Sequence, residues 1–170
     1  MDLKEKIRVI EDFPKPGISF KDITTLLKDK EAFRYAIKSM AALLEGKEVD
    51  VVTSPEARGF IIGTPLAYEL GAGFVPARKK GKLPAKTIEA HYQLEYGTDV
   101  LQMHEDAIRP GQKVVIADDL LATGGTIVST IELVEKLGGI VQAVVFLIEL
   151  TDLNGRENLG DHDIISLIKY

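Results

Sequence analysis

The chain has no cysteine in its 170 residues. That absence excludes disulfides, thiolate zinc sites and cysteine nucleophiles together, and leaves the redox compartment unmarked by composition. Long apolar runs are missing as well: none approaches the roughly 20 residues of a membrane span. The opening Met-Asp-Leu-Lys-Glu-Lys-Ile-Arg mixes charges with isolated apolar side chains where a secretory signal needs an apolar stretch. A cytoplasmic location is the resulting expectation. Positive charge is not in excess, since 21 basic against 26 acidic residues give a net −5. No general attraction to DNA or RNA follows, and any phosphate binding must come from a local site. The three histidines, His91, His104 and His162, lie in no metal-ligand spacing and read as structural or exposed. Neither a Walker loop nor a G-x-G-x-x-G fingerprint after a strand is present.

What is there is ordinary globular composition, 45% hydrophobic and 28% charged. The length suits one domain able to bury roughly 70% of the surface of its unfolded chain. No internal repeat, low-complexity tract or linker divides it. Apolar runs rich in Val and Ile at 49–53, 73–77, 113–117, 141–150 and 164–168 alternate with stretches of helical period at 31–44, 60–70 and 126–137. This is the pattern of a parallel sheet covered on both faces, so an α/β fold with a doubly wound five-stranded sheet is predicted. In 31–44 the apolar stripe is Phe33, Ile37, Met40, Leu43 and Leu44, with Gly46 as a stop. Gly71 and the Gly138-Gly139 pair stop the other two helices. Two segments break the alternation. Residues 12–23 carry Phe-Pro-Lys-Pro-Gly, a turn-forming stretch ahead of a helix start near Asp22. Residues 79–103 are long, charged and interrupted by Gly81, Pro84 and Gly97, with 87–92 as a short candidate strand.

The most informative stretch is Val-Val-Ile-Ala-Asp-Asp-Leu-Leu-Ala-Thr-Gly-Gly-Thr at 114–126: a hydrophobic strand ending in two acids, a small-residue turn and a helix. Glycines at 124 and 125 permit a tight turn with open N–H groups, which meet a phosphate at the positive end of the following helix. The hydroxyls of Thr123 and Thr126 add donors. Asp118 and Asp119 fall at the carboxyl end of a strand, where open α/β sheets bind ligands, and paired carboxylates there can accept hydrogen bonds from adjacent ribose hydroxyls. A ribose 5-phosphate fits this arrangement.

The same stretch resembles the phosphoribosyl-pyrophosphate signature of type I phosphoribosyltransferases, in the wording carried by members that act on adenine. The similarity runs from Pro-Lys-Pro-Gly-Ile-Ser-Phe-Lys-Asp-Ile at 14–23 to the closing Leu-Ile-Lys-Tyr. It implies one domain over 1–170, with a small N-terminal hood at about 1–25 and a mobile loop at about 79–103. Pro-Glu-Ala-Arg-Gly-Phe at 55–60 resembles the family's pyrophosphate loop and points to Arg58, with Ser54 where the family pattern carries glycine. Arg78-Lys79-Lys80-Gly81-Lys82 resembles the basic start of the mobile loop, Lys79 and Lys82 serving their own site and Arg78 a dimer neighbour's. Gln-Leu-Glu-Tyr-Gly at 93–97 matches a family motif that makes Glu95 the candidate acid or base, with Tyr96 beside it. Ser19, Phe20 and Lys21 resemble the hood segment over the base, the ring stacking and the flanking main chain reading the purine edge; members commonly carry Arg where Lys21 stands.

Within the resemblance, Ala122, Thr123, Gly124, Gly125 and Thr126 bind the 5-phosphate, and Asp118 and Asp119 the ribose. The implied reaction is transfer of a 5-phosphoribosyl group from 5-phosphoribosyl-1-pyrophosphate to N9 of adenine, giving AMP and pyrophosphate. Mg²⁺ is held mainly by substrate and water, and the assembly is a homodimer without nucleic-acid or membrane partners. The alternatives are a sibling transferase for another base, differing in its hood, and a non-catalytic sensor of phosphoribosyl pyrophosphate.

Overall fold

The computed structural model describes residues 1–94 and 97–170. All five strands expected from the apolar runs are present and mutually parallel: β3 (Val51–Pro55), β4 (Gly73–Lys79), β7 (Lys113–Leu121), β8 (Ile140–Glu149) and β9 (Ile164–Lys169). Three helices fill the connections, α2 (Lys30–Ala42), α3 (Arg58–Leu70) and α4 (Gly125–Lys136). Before them lie a two-stranded antiparallel sheet, β1 (Arg8–Ile10) with β2 (Phe20–Asp22), and a single helical turn, α1 (Thr24–Leu27).

The sheet is wider than the five strands expected. Residues 79–103, whose charges and glycines suggest a long loop, are largely β-structure: β5 (Thr87–Leu94) pairs antiparallel with β6 (Gly97–His104), and β6 joins the edge of β4. The order is β5-β6-β4-β3-β7-β8-β9. Ala90, Leu101 and Met103 are buried under the hairpin, while its other side chains are largely polar. Two apolar residues on one strand and one on the other give too weak a period-2 signal to stand out.

Burial on both faces explains the continuous apolar runs. Val115 and Ala117 of β7, with Val145 and Leu147 of β8, pack toward α2, α3 and the N-terminal segment, whereas Val114, Ile116, Val144 and Phe146 pack toward α4 and the hairpin. Leu3, Ile7, Ile23 and Leu26 belong to the first of these cores, so the hood segment is rooted in the domain. Of the expected stripe Ile37, Met40 and Leu44 are buried and Phe33 packs against the core, while Leu43 is exposed and Ala32 and Ala36 complete the buried face of α2. Alanines let the helix backbone approach the sheet, which a count of large apolar residues overlooks. Asp29 caps α2 by accepting from the N–H groups of Glu31 and Ala32, and Gly71 ends α3 in the left-handed conformation at φ 67°.

Candidate active site

β3 and β7 lie side by side in the sheet centre, and each runs at its carboxyl end into a helix, α3 and α4 respectively. Neither helix has a side-chain cap; at α3 the Phe60 N–H donates to the Ala57 carbonyl, and the N–H groups ahead of it, like those at the start of α4, point out from the same end of the sheet. Gly59 permits close approach there: a Cβ on it would stand 2.9 Å from Asp118 Oδ1 and 3.2 Å from Ser54 Cβ. The peptide between Glu56 and Ala57 is cis.

Asp118 and Asp119 do not end the strand as the sequence suggests: β7 continues through them to Leu121, and they lie in its carboxyl-terminal half with side chains on opposite faces. Asp119 is buried, and Arg58 Nε stands 3.1 Å from its Oδ2. The Asp119 N–H donates to Asp118 Oδ1 at 2.8 Å. Desolvation pushes the Asp118 carboxyl well above the usual range, the negative neighbour Asp119 adds to this, and Arg58 partly offsets it. The Arg58 guanidinium also lies 5.7 Å from the Phe20 ring, which meets Phe13 edge-on at 5.3 Å. One arginine thus joins the hood, the α3 start and the acid pair.

The turn at 122–124 leads into α4 with Gly124 at φ 86°, ψ 4°. Successive N–H groups around such a left-handed residue form an anion-binding concavity. Thr123 is exposed, while Ala122, Gly124, Gly125 and Thr126 are half-buried. The hairpin approaches from one side, with the Gln93 carbonyl 3.8 Å from where a Gly125 Cβ would stand, and Ser129 Oγ of α4 donates to the His91 carbonyl.

The basic residues converge on a side chain that the sequence did not single out. Glu56 Oε1 accepts from the Lys79 N–H at 2.7 Å and lies 3.3 Å from Arg78 Nε, and its Oε2 is 3.9 Å from Lys82 Nζ. Lys79 Nζ is 3.6 Å from Asp99, which accepts a hydrogen bond from Tyr92. Arg78 further stacks over Phe60 at 5.9 Å. The cationic cluster is therefore gathered beside the turn that carries Glu56 and leads into α3, although Lys79 and Lys82 remain exposed. Glu56 sits inside the Pro-Glu-Ala-Arg-Gly motif, so its position was a usable signal; Asp99 carried none.

Ser19 and Lys21 do not point their side chains at one spot with Phe20. Lys21 Nζ donates to Ser19 Oγ and lies 4.5 Å above the Tyr170 ring, and Ser19 Oγ donates to Glu11. Such an arrangement leaves main-chain groups, not these side chains, for a ligand. Glu95 and Tyr96 lie outside the described residues. Ser54, where a glycine was expected, is buried, and Gly63 of α3 makes room for its hydroxyl. Among the described residues no group of three or more His, Asp or Glu is arranged to hold a metal, and no helix is long and apolar enough to cross a membrane.

Residues 22–167 match the phosphoribosyl transferase domain model. The chain is 66% identical over 170 residues to an adenine phosphoribosyltransferase of Clostridium tetani, covering 100% of this chain and 99% of the relative. It superimposes on the crystal structure of the Thermoanaerobacter pseudethanolicus adenine phosphoribosyltransferase with a TM-score of 0.97 at 60% identity, covering 99% of this chain and 98% of that one. The Saccharomyces cerevisiae adenine phosphoribosyltransferase, complexed with an imino-altritol bisphosphate and adenine, matches at 36% identity and a TM-score of 0.93, covering 96% and 94%. Two helix starts opening beside an acid pair at the centre of this sheet, together with these full-length likenesses, establish that the chain belongs to the phosphoribosyltransferase family.

Proposed function

We propose that the chain transfers the 5-phosphoribosyl group of 5-phosphoribosyl-1-pyrophosphate to N9 of adenine, forming AMP and releasing pyrophosphate. The observation that carries this reading is the junction at Arg58, which lies 3.1 Å from Asp119 and 5.7 Å from the Phe20 ring, so that ribose, pyrophosphate and base subsites share one side chain. Adenine is bound in the related yeast structure, and the relatives at 59–67% identity are named for that base.

In this reading the 5-phosphate sits on residues 122–126 against the start of α4, and the ribose hydroxyls donate to Asp118 and Asp119. The N–H groups at the start of α3, with Arg58, Lys79 and Lys82, face the leaving pyrophosphate, and Arg78 serves the neighbouring subunit. Adenine lies under Phe20, its edge read by the main chain of Ser19 and Lys21. As the C1–oxygen bond to pyrophosphate breaks, positive charge develops on the ribose and N9 forms the new bond. Preplaced cations stabilise the negative charge gathering on the leaving group. The N9 proton passes to Glu95, assigned by its motif, with Tyr96 beside it.

The carboxylates of Asp118 and Asp119 are hard oxygen donors that suit Mg²⁺, whose main ligands in this reading are substrate oxygens and water. Asp118 and Asp119 would meet its water shell. When bound, it neutralises pyrophosphate charge. A homodimer belongs to the same reading, supported by the exposed Ile61 and Tyr68 on the outer face of α3. So does a cytoplasmic location, and residues 79–103 closing over the bound substrates.

Incubating the purified chain with phosphoribosyl pyrophosphate, Mg²⁺ and each of adenine, hypoxanthine, guanine, xanthine and orotate tests the base assignment. AMP from adenine alone supports it. Turnover of another base overturns the hood assignment, and phosphoribosyl pyrophosphate binding without turnover overturns the enzyme reading in favour of a sensor.

A further inference from the structure

The turn at Gly155–Leu159 belongs to none of the motifs at 14–23, 55–60, 78–82, 93–97 or 114–126, yet it forms the floor of the 122–124 turn. Gly155 is buried against that turn, and a Cβ on it would overlap the Ala122 carbonyl and stand 2.9 Å from Leu121 Cδ1. From the other side, a Cβ on Gly124 would be 3.2 Å from the Gly155 carbonyl and 3.2 Å from Leu159 Cδ2. Asn158 Nδ2 donates to the Thr123 carbonyl at 2.8 Å. Both Ala122 and Thr123 thus turn their carbonyls toward the same floor.

The peptide unit is planar and trans, so a carbonyl facing one way sends the next N–H the other way. With the Ala122 and Thr123 carbonyls held down, the N–H groups of Thr123 and Gly124 face up, toward the open start of α4. The floor itself is locked by a fork. Arg156 donates from Nε to Glu149 Oε1 at 2.6 Å and from Nη2 to Oε2 at 2.7 Å, and from Nη1 to the Ile164 carbonyl at 2.7 Å. Glu149 is buried, and Ser166 Oγ donates to the same carboxylate. The Arg156 fork therefore ties the turn to β8 and β9 with little freedom to shift.

We propose that Asn158, carried on the turn that Arg156 and Glu149 lock, is a positioning residue for phosphoribosyl pyrophosphate: it fixes the Thr123 peptide so that the Gly124 N–H points at the 5-phosphate. The proposal rests on the assignment of residues 122–126 to that phosphate. In this proposal the effect of Asn158 passes through its one hydrogen bond to the Thr123 carbonyl.

The test is steady-state kinetics of Asn158→Leu, which keeps the size and removes the donor, and of Asn158→Gln, which keeps the donor on a longer stem. Loss of one neutral hydrogen bond predicts a rise of roughly 3- to 10-fold in KM for phosphoribosyl pyrophosphate in Asn158→Leu. The adenine KM, kcat and melting temperature stay near wild type, and Asn158→Gln recovers more than half the loss. A wild-type phosphoribosyl pyrophosphate KM in Asn158→Leu, or equal rises in both KM values, overturns the proposal. Thr126→Val serves as the control for the underlying assignment. If Thr126→Val raises the same KM while Asn158→Leu does not, only the role of Asn158 falls; if neither does, the phosphate assignment falls and the proposal with it.

Discussion

Arg58 Nε stands 3.1 Å from Asp119 Oδ2, an ion pair between a half-exposed arginine at the start of α3 and a buried acid near the carboxyl end of β7. Charge balance at the end of the sheet depends on it, because Asp118 and Asp119 are adjacent and share this cation. Substrate hydroxyls arriving at Asp119 would compete with the guanidinium, freeing it for the pyrophosphate.

Replacing Arg58 with Gln should therefore act on the leaving group more than on the fold. Loss of a preplaced donor to developing negative charge predicts a fall in kcat of about 100-fold or more. The inhibition constant for pyrophosphate should rise in parallel. Product-inhibition kinetics with a melting curve check both, and a fall in kcat below threefold would contradict the role given to Arg58.

Asp118 offers a pH signature. Its carboxyl is held well above the usual range, chiefly by desolvation and then by Asp119. A group whose folded pKa is raised binds more protons in the native state, so its stabilising contribution is present at acid pH and is lost as pH rises through the folded value. Asp118→Asn keeps the acceptor for the Asp119 N–H and removes the charge. The variant should melt higher than wild type at neutral pH, by about 2 °C or more for each kcal/mol relieved. The gap should close toward acid pH, where wild-type Asp118 is protonated. A gap that is constant with pH would contradict the assignment.

What could be read from the residues alone follows physical locality. The five parallel strands were legible because burial on both faces writes a continuous apolar run into each, as in Val114–Ala117 and Val144–Leu147. The turn between β7 and α4 was legible because strand, acids, glycines and helix start are contiguous from Val114 to Thr126. Of the hairpin only the candidate strand at 87–92, within β5, was legible; β6 and its docking on β4 were not, since its buried side chains are few. The Pro-Glu-Ala-Arg-Gly motif marks the place of Glu56 but not its partners: its contacts with Arg78, Lys79 and Lys82, like that of Asn158 beneath Thr123, join residues distant in sequence, which spacing does not encode.

The departure at Ser54 carries a packing prediction. A Cβ on Gly63 would overlap Ser54 Oγ and stand 2.9 Å from the Phe74 ring, both inside the core. Gly63→Ala gains about 1 kcal/mol of helix propensity yet overpacks a rigid site at a cost of about 1–3 kcal/mol, so the net should be destabilising. Ser54→Gly removes the nearer obstacle, so the double variant should be more stable than Gly63→Ala. Urea unfolding of the four proteins in the cycle measures the coupling, and additive effects would contradict the contact.

The most direct test of the central claim is the initial rate of AMP formation from adenine and phosphoribosyl pyrophosphate with Mg²⁺, in wild type, Glu95→Gln and Asp118→Asn/Asp119→Asn. Wild type should form AMP, Glu95→Gln should show a kcat lower by about 100-fold or more, and the double variant should be impaired in its use of phosphoribosyl pyrophosphate even at saturating adenine. Full activity in the double variant would contradict the ribose site on which the reading is built.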